Sequence, residues 1–165
     1  MLNAAAHVLK QHYPAVVGLE SPSVLALCNP ASEEVQRIRE GLLQHGSAIQ
    51  PLWNGERNGG GHYVTVHAVW ENRMRIFCST GQAPSQHLLL QLYTLFSTND
   101  QVLNCSMETM PSQSAKGNNC LIYAFDYACD LSEKRIVKDI QYDSEKVFRK
   151  WFKQILQTWK YGRTR

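Results

Sequence analysis

Apolar residues recur at helical spacing at Leu2, Ala5, Ala6, Leu9 and Tyr13 until Pro14 interrupts, which predicts a first helix. Ser32 stands in N-cap position ahead of Val35, Ile38 and Leu42 and predicts a second. The period changes at His62. From there His62, Val64, Val66 and Ala68 alternate with Tyr63, Thr65, His67 and Val69, the pattern of a strand with two distinct faces. A polar turn at Glu71-Asn72-Arg73 leads into a second β-prone run from Met74 to Cys78, which ends in the loop Ser79-Thr80-Gly81, so the two runs predict a hairpin. The segment from Pro51 to Gly61 holds five glycines or prolines and predicts a loop beside His62. Further on, Ser85 predicts the cap of a helix through Phe96, and Val102 to Met110 predicts a strand with Leu103, Cys105 and Met107 on one face. A buried helix is expected from Cys120 to about Leu131, and Val147, Phe148, Trp151, Phe152, Ile155, Leu156 and Trp159 predict a last helix with an apolar stripe. This interleaving of helices with a small mixed or antiparallel sheet predicts an α+β fold.

Length adds that 165 residues suit one domain with a real core, expected over residues 1–160 and followed by a basic, disordered tail over 161–165. A net charge of +3 is too slight to argue for nucleic acid. No apolar run approaches the roughly twenty residues needed to cross a bilayer, and the first residues lack a basic region followed by an apolar core. A soluble, monomeric protein of the cytoplasm or nucleus is expected. The cysteines at 28, 78, 105, 120 and 129 are odd in number and lack the CxxC spacing of zinc modules or a disulfide framework. They suit a reducing compartment, and no metal or other cofactor is implied.

Cys120 carries the candidate chemistry. It opens an apolar helix directly after the polar, glycine-bearing turn Gln113-Ser-Ala-Lys-Gly-Asn-Asn119. Backbone N–H groups at a helix start favour negative charge, which suits a thiolate nucleophile. Small buried cysteines are common, so position alone gives the burial reading about equal weight. His62, at the mouth of a strand, is the matching base, because a strand positions a side chain closely. His67 points to the other face and reads as a structural histidine. Trp53 either lines a cleft or packs under the loop. The end of the second strand brings residue 78 toward His62, where a cysteine protease wants an acceptor to hold the imidazole tautomer. Here that residue is Cys78.

In order and spacing, these residues resemble the Ulp1-like cysteine peptidases that process ubiquitin-like modifiers, especially short members found in transposon-derived proteins. In that family a His-Trp pair opens a strand, Tyr-Asp-Ser closes the next, and a Gln-bearing turn leads to Asp-Cys-Gly at a helix start. This chain offers His62-Tyr63, Phe77-Cys78-Ser79, and Gln113 through Asn119-Cys120-Leu121. The opening helix with Gly18-Leu19, the strand-like Ile49–Trp53 ahead of the histidine, and Ile140–Ser144 before an aromatic-rich end extend the likeness over nearly the whole chain.

The resemblance implies a papain-like cysteine-protease fold and a peptidase acting on a ubiquitin-like protein or its conjugates. Cys120 would be the nucleophile, His62 its base, Cys78 would occupy the orienting position, and Gln113 would help hold the oxyanion. Tyr63, Trp53, Asn119 and Leu121 would flank the substrate. The departures matter too. Cys78 replaces an aspartate, and in a serine triad loss of that acid's charge costs about ten-thousandfold in rate. Gln113 lies seven residues before Cys120 where six is usual, Asn119 replaces an aspartate, and Leu121 replaces a glycine. The alternative is therefore an impaired pseudoprotease that serves as a binding module for a ubiquitin-like protein.

Overall fold

The computed structural model describes residues 2–25, 29–56, 60–70, 73–97, 102–108, 110, 119–135 and 153. Gln113, the aromatic stripe of the predicted last helix and the basic tail lie outside the described residues. The elements in chain order are α1 (Leu2–His12), α2 (Pro22–Leu25), α3 (Glu33–His45), β1 (Ser47–Gly55), β2 (Gly61–Val69), β3 (Arg73–Phe77), α4 (Gln86–Phe96), β4 (Asn104–Glu108) and α5 (Cys120–Ser132).

Local chemistry sets the helix ends where side chains can satisfy orphan backbone groups. The Ser32 hydroxyl accepts from the Val35 N–H at the start of α3, and Gly46 in left-handed conformation closes that helix by donating to the Leu42 carbonyl. Ser85 caps α4 in the same way, through the Leu88 N–H. The short helix α2 has no periodic pattern long enough to announce it.

The strands order as β1-β2-β3-β4 in one sheet. β1 and β2 pair antiparallel over their whole length, from Ser47 opposite Val69 to Gly55 opposite Gly61. β2 and β3 are also antiparallel, and β4 joins β3 in parallel, so the sheet is mixed. Two expectations need correction. The Pro51–Gly61 segment is not a loop throughout, because β1 continues to Gly55 and β2 begins at Gly61. Pro51 is tolerated there because β1 is an edge strand, where a missing N–H leaves no ladder partner unmet. The strand expected over Val102–Met110 is shorter, spanning Asn104–Glu108.

Each face of the sheet buries a different core. Val64, Val66 and Ala68 of β2 join Leu52, Met74 and Ile76 against α3 and α4, which contribute Ile38, Leu42, Leu88 and Leu92. On the other face, α5 lies against β2. The Thr65 hydroxyl, fully buried, donates to the Ala124 carbonyl of α5, and Phe125, Ala128 and Cys129 pack with Ala5, Ala6 and Leu9 of α1. Gly18 makes the crossing from α1 to the sheet edge possible. Its φ is +92°, and a Cβ there would stand 2.2 Å from the Ile49 carbonyl oxygen. Among the described residues no helix is long and apolar enough to cross a membrane.

Burial on α5 also perturbs charge. Burial pushes the Asp126 carboxyl up to about 7, and the neighbouring charge of Asp130 adds to this while Arg135 opposes it. Between the ordinary value of 3.8 and about 7, the folded chain keeps a proton that the unfolded chain has lost. Stability therefore falls as pH rises through that window and stays at the lower level above it. Asp126→Asn removes the titration at nearly constant shape. Thermal melts at pH 4 through 8 should show the variant and parent together at the acid end, with the variant melting progressively higher from pH 4 to about 7 and by a constant margin above that.

Candidate active site

The site is built from the mouth of β2 outward. His62, the second residue of β2, is 5% exposed and shares the α3/α4 face with Val64 and Val66. Its Nε2 lies 3.0 Å from Cys78 Sγ and 3.1 Å from Thr80 Oγ1, while Sγ and Oγ1 are 3.2 Å apart. The three groups form a closed triangle. The other ring nitrogen, Nδ1, is buried and makes no hydrogen bond among the described residues.

The triangle depends on the turn that follows β3. Cys78 is 2% exposed and sits one residue beyond the strand, and the chain then folds so that the Gly81 N–H reaches the Cys78 carbonyl at 3.4 Å. Gly81 takes a φ of +67° that an L side chain resists. Further along, Asn54 of β1, 3% exposed, accepts from the Ser85 N–H at 2.7 Å and donates to the Ala83 carbonyl at 3.1 Å. That bidentate clamp ties the post-β3 segment to the strand beside His62. Neither Thr80 nor Asn54 was expected from sequence. Thr80 lies in a polar Ser-Thr-Gly turn whose only signal is its two-residue offset from Cys78, and Asn54 carries no local signal at all.

Electrostatics single out Cys78 among the thiols. Burial pushes the Cys78 thiol up, but hydrogen bonds from His62 and Thr80, aided by the imidazole charge, outweigh it and bring the thiol from 9.0 down to about 7. Cys129 goes the opposite way. Burial and the charges of Asp126 and Asp130 push it up to about 12, so it is an inert core thiol. Cys105 is also raised by burial.

Cys120 arrives from the other face of the sheet as the first residue of α5. Three observations fix the direction of that helix. Tyr63 lies close enough to Cys120 that its phenol, raised first by burial, is raised further by the Cys120 charge. Two residues on, Thr65 bonds to Ala124. Farther still, His67 lines the same cavity as Leu131 and Ser132. The helix thus runs alongside β2 in the same direction, with Cys120 at the His62 end. Asn119 precedes it, 3% exposed, and its side chain makes no capping bond. Leu121 turns toward the α1 side and packs against the cluster of Ala5, Leu9 and Phe125.

Trp53 and Tyr63 sit directly opposite one another on β1 and β2, on the α5 face. Their rings meet edge to face, with centroids 5.0 Å apart and planes at 65°. Gly55 and Gly61 form the floor beneath the indole. A Cβ at either would come within 3 Å of the Trp53 ring, at 2.9 Å from Nε1 and 2.7 Å from Cζ2 respectively. These glycines leave room for the Trp53 indole against the strand ends. His67 turns away from His62, and its Nε2 lies 2.9 Å from Ser47 Oγ. A cavity of about 720 Å³ lined by His67, Arg75, Phe77 and Arg135 opens at the far end of α5 and includes none of the candidate site residues.

The structure therefore brings His62, Cys78 and Thr80 into contact and sets Tyr63, Trp53 and Cys120 together at the same end of the sheet, on its other face. Gln113 lies outside the described residues. Among the described residues no cluster of three or more His, Cys, Asp or Glu could hold a metal ion.

No family model matches this sequence, and no curated protein matches it either. Solved structures do. The SUMO protease Ulp1 with its catalytic cysteine oxidised to a sulfonic acid is similar over 86% of this chain and 68% of that one, at 13% identity and a TM-score of 0.52. The sulfinic acid form of the same protease gives 14% identity, the same coverage and the same TM-score. At such identity the likeness speaks for the backbone alone, and the chain has the papain-like cysteine-protease fold.

Proposed function

We propose that the chain is a thiol peptidase acting on a ubiquitin-like protein or its conjugates, with Cys120 as nucleophile and His62 as base. The observation that carries this reading is the asymmetry of the His62 ring. Nε2 is held by Cys78 and Thr80, while buried Nδ1 is left without a partner among the described residues, at the same end of β2 at which Cys120 opens α5 on the opposite face, so the proposed transfer runs around the strand end. A base in a Cys–His pair needs one nitrogen anchored and the other bare. In the reaction, Nδ1 takes the Cys120 proton and the thiolate attacks the carbonyl carbon at the end of an extended peptide. The protonated ring then returns the proton to the leaving amine as the C–N bond breaks, and water hydrolyses the thioester. The Cys120 N–H at the start of α5 and Gln113 are the oxyanion donors, each such donor being worth about 2.7–4 kcal/mol. The Trp53–Tyr63 pair walls a narrow channel for the substrate tail, with Asn119 at its base.

The substrate class rests on the similarity to a SUMO protease and on the motifs, which resemble those of the short, transposon-derived members. The domain is expected to cover residues 1–160. A thiol at the position of the orienting acid favours a second reading, in which the chain binds a ubiquitin-like protein without cleaving it.

Covalent labelling decides between them. Ubiquitin-like proteins carrying C-terminal electrophiles should give an adduct on Cys120, read by mass spectrometry, that is lost in Cys120→Ala and slowed in His62→Ala. A folded chain that gives no adduct with any probe but still binds one of them would establish the binding module. Leu121 supplies a further check. Because it packs toward α1, Leu121→Ala should cost stability, about 1–2 kcal/mol for a half-buried leucine by chemical denaturation, and should leave the labelling rate within about twofold. A large gain in rate would mean that the side chain blocks the site instead.

A further inference from the structure

The triangle of His62, Cys78 and Thr80 has a property that a carboxylate in place of Cys78 would lack. A carboxylate above pH 5 only accepts hydrogen bonds, whereas a thiol can donate and a thiolate can only accept. With Sγ 3.0 Å from Nε2, the direction of that hydrogen bond determines where the ring proton resides. If Sγ–H donates to Nε2, a neutral ring must carry its own proton on Nδ1. If the proton crosses to Nε2, the ring is an imidazolium and Nδ1 is again protonated. A neutral thiol accepts only weakly, so the tautomer with Nε2–H and a bare Nδ1 is favoured most when the pair as a whole gives up a proton and Nε2–H donates to a thiolate, with Thr80 Oγ1 beside it. Resting on the peptidase reading, we propose that Cys78, with Thr80, is the positioning element of His62 and gates it: loss of one proton from the Cys78–His62 pair frees Nδ1 to act as base toward Cys120.

Thr80 completes the device. Its hydroxyl lies 3.2 Å from Sγ and 3.1 Å from Nε2, so it donates to the thiolate and faces the ring at once. The surroundings leave the gate to these groups. From α5, Tyr127 faces Cys78 and is a phenol held above its ordinary value, first by burial and in part by the Cys78 charge, so it stays neutral. Leu52 of β1, Ile38 of α3 and Leu88 of α4 share the cluster that holds Cys78 and are aliphatic. Burial is outweighed by hydrogen bonds from His62 and Thr80, which bring the Cys78 thiol down to about 7, so its thiolate is accessible near neutral pH.

The test reads the ring directly, without depending on catalysis. In the Cys120→Ala chain, which removes the second thiol from the ring's surroundings, two-bond 15N correlation spectra of His62 from pH 5 to 9 report which nitrogen carries the proton. The expected result is Nε2 protonated and Nδ1 bare above the midpoint, and Nδ1 protonated below it. Thr80→Val, nearly isosteric, should move that midpoint up by about one pH unit, the worth of one hydrogen bond to a charged sulfur. Nδ1 still protonated in a neutral ring at pH 8.5, or no shift in Thr80→Val, overturns the proposal. In the chain that retains Cys120, the pH dependence of probe labelling should follow the same midpoint as the ring and move up with it in Thr80→Val. Absence of labelling with the expected ring protonation would sink the peptidase reading and leave the gate standing. Labelling with the proton fixed on Nδ1 would do the reverse.

Discussion

The arrangement of the site depends on the register of β2 between β1 and β3. Because side chains alternate along a strand, β2 sends His62 to the α3/α4 face and Tyr63 and Thr65 to the α5 face. His62 meets Cys78 and Thr80 on the first face, and Tyr63 meets Trp53 and approaches Cys120 on the second. A slip of one residue would exchange the two sets, put Tyr63 among the aliphatic core and expose His62 to the helix. Two features pin the register. The nine-residue pairing with β1 ends on Gly55 opposite Gly61, which only glycines can close beneath Trp53, and the Val64-Val66-Ala68 face is buried without exception.

Positioning of the ring then passes to a segment that is neither helix nor strand. Residues 78 to 85 connect β3 to α4, and such a connection would ordinarily be the softest part of a site. Here it is held at three points: the turn from Cys78 to Gly81, the Asn54 clamp on Ala83 and Ser85, and the Ser85 cap of α4. Asn54 is nearly wholly buried with both its oxygen and its nitrogen bonded, so the clamp is satisfied rather than strained. The same residue stands opposite His62 in the β1–β2 ladder, which couples the position of the turn to the position of the ring.

What could be read from the sequence was what local chemistry determines. The Ser32 and Ser85 caps, the two faces of β2, the hairpin, and a helix opening at Cys120 all follow from patterns within a dozen residues. The misreading of Pro51–Gly61 as a loop shows the limit. Proline and glycine break a central strand, but β1 is an edge strand, and edge position is a property of the whole sheet. Thr80 and Asn54 were missed for a related reason. A threonine in a turn and an asparagine near a strand end are ordinary residues until the partner 18 or 31 positions away is brought to them. The contact of Cys78 with His62 was legible because the hairpin geometry is itself local.

The surroundings of Cys78 argue against treating it as a neutral, inert thiol. A neutral thiol in an aliphatic cluster would be pushed up, as Cys129 is. Cys78 goes down instead, although it too is buried. Part of the difference is the heavier burial penalty on Cys129, and the rest lies in what each sulfur touches. Cys129 faces the charges of Asp126 and Asp130, which repel a thiolate, whereas Cys78 faces an imidazole and a hydroxyl, which stabilise one. Burial strengthens both effects, since charges interact more strongly where water is excluded. The same low-dielectric setting that makes one thiol inert therefore makes the other a workable anion, held against the His62 ring and the Thr80 hydroxyl.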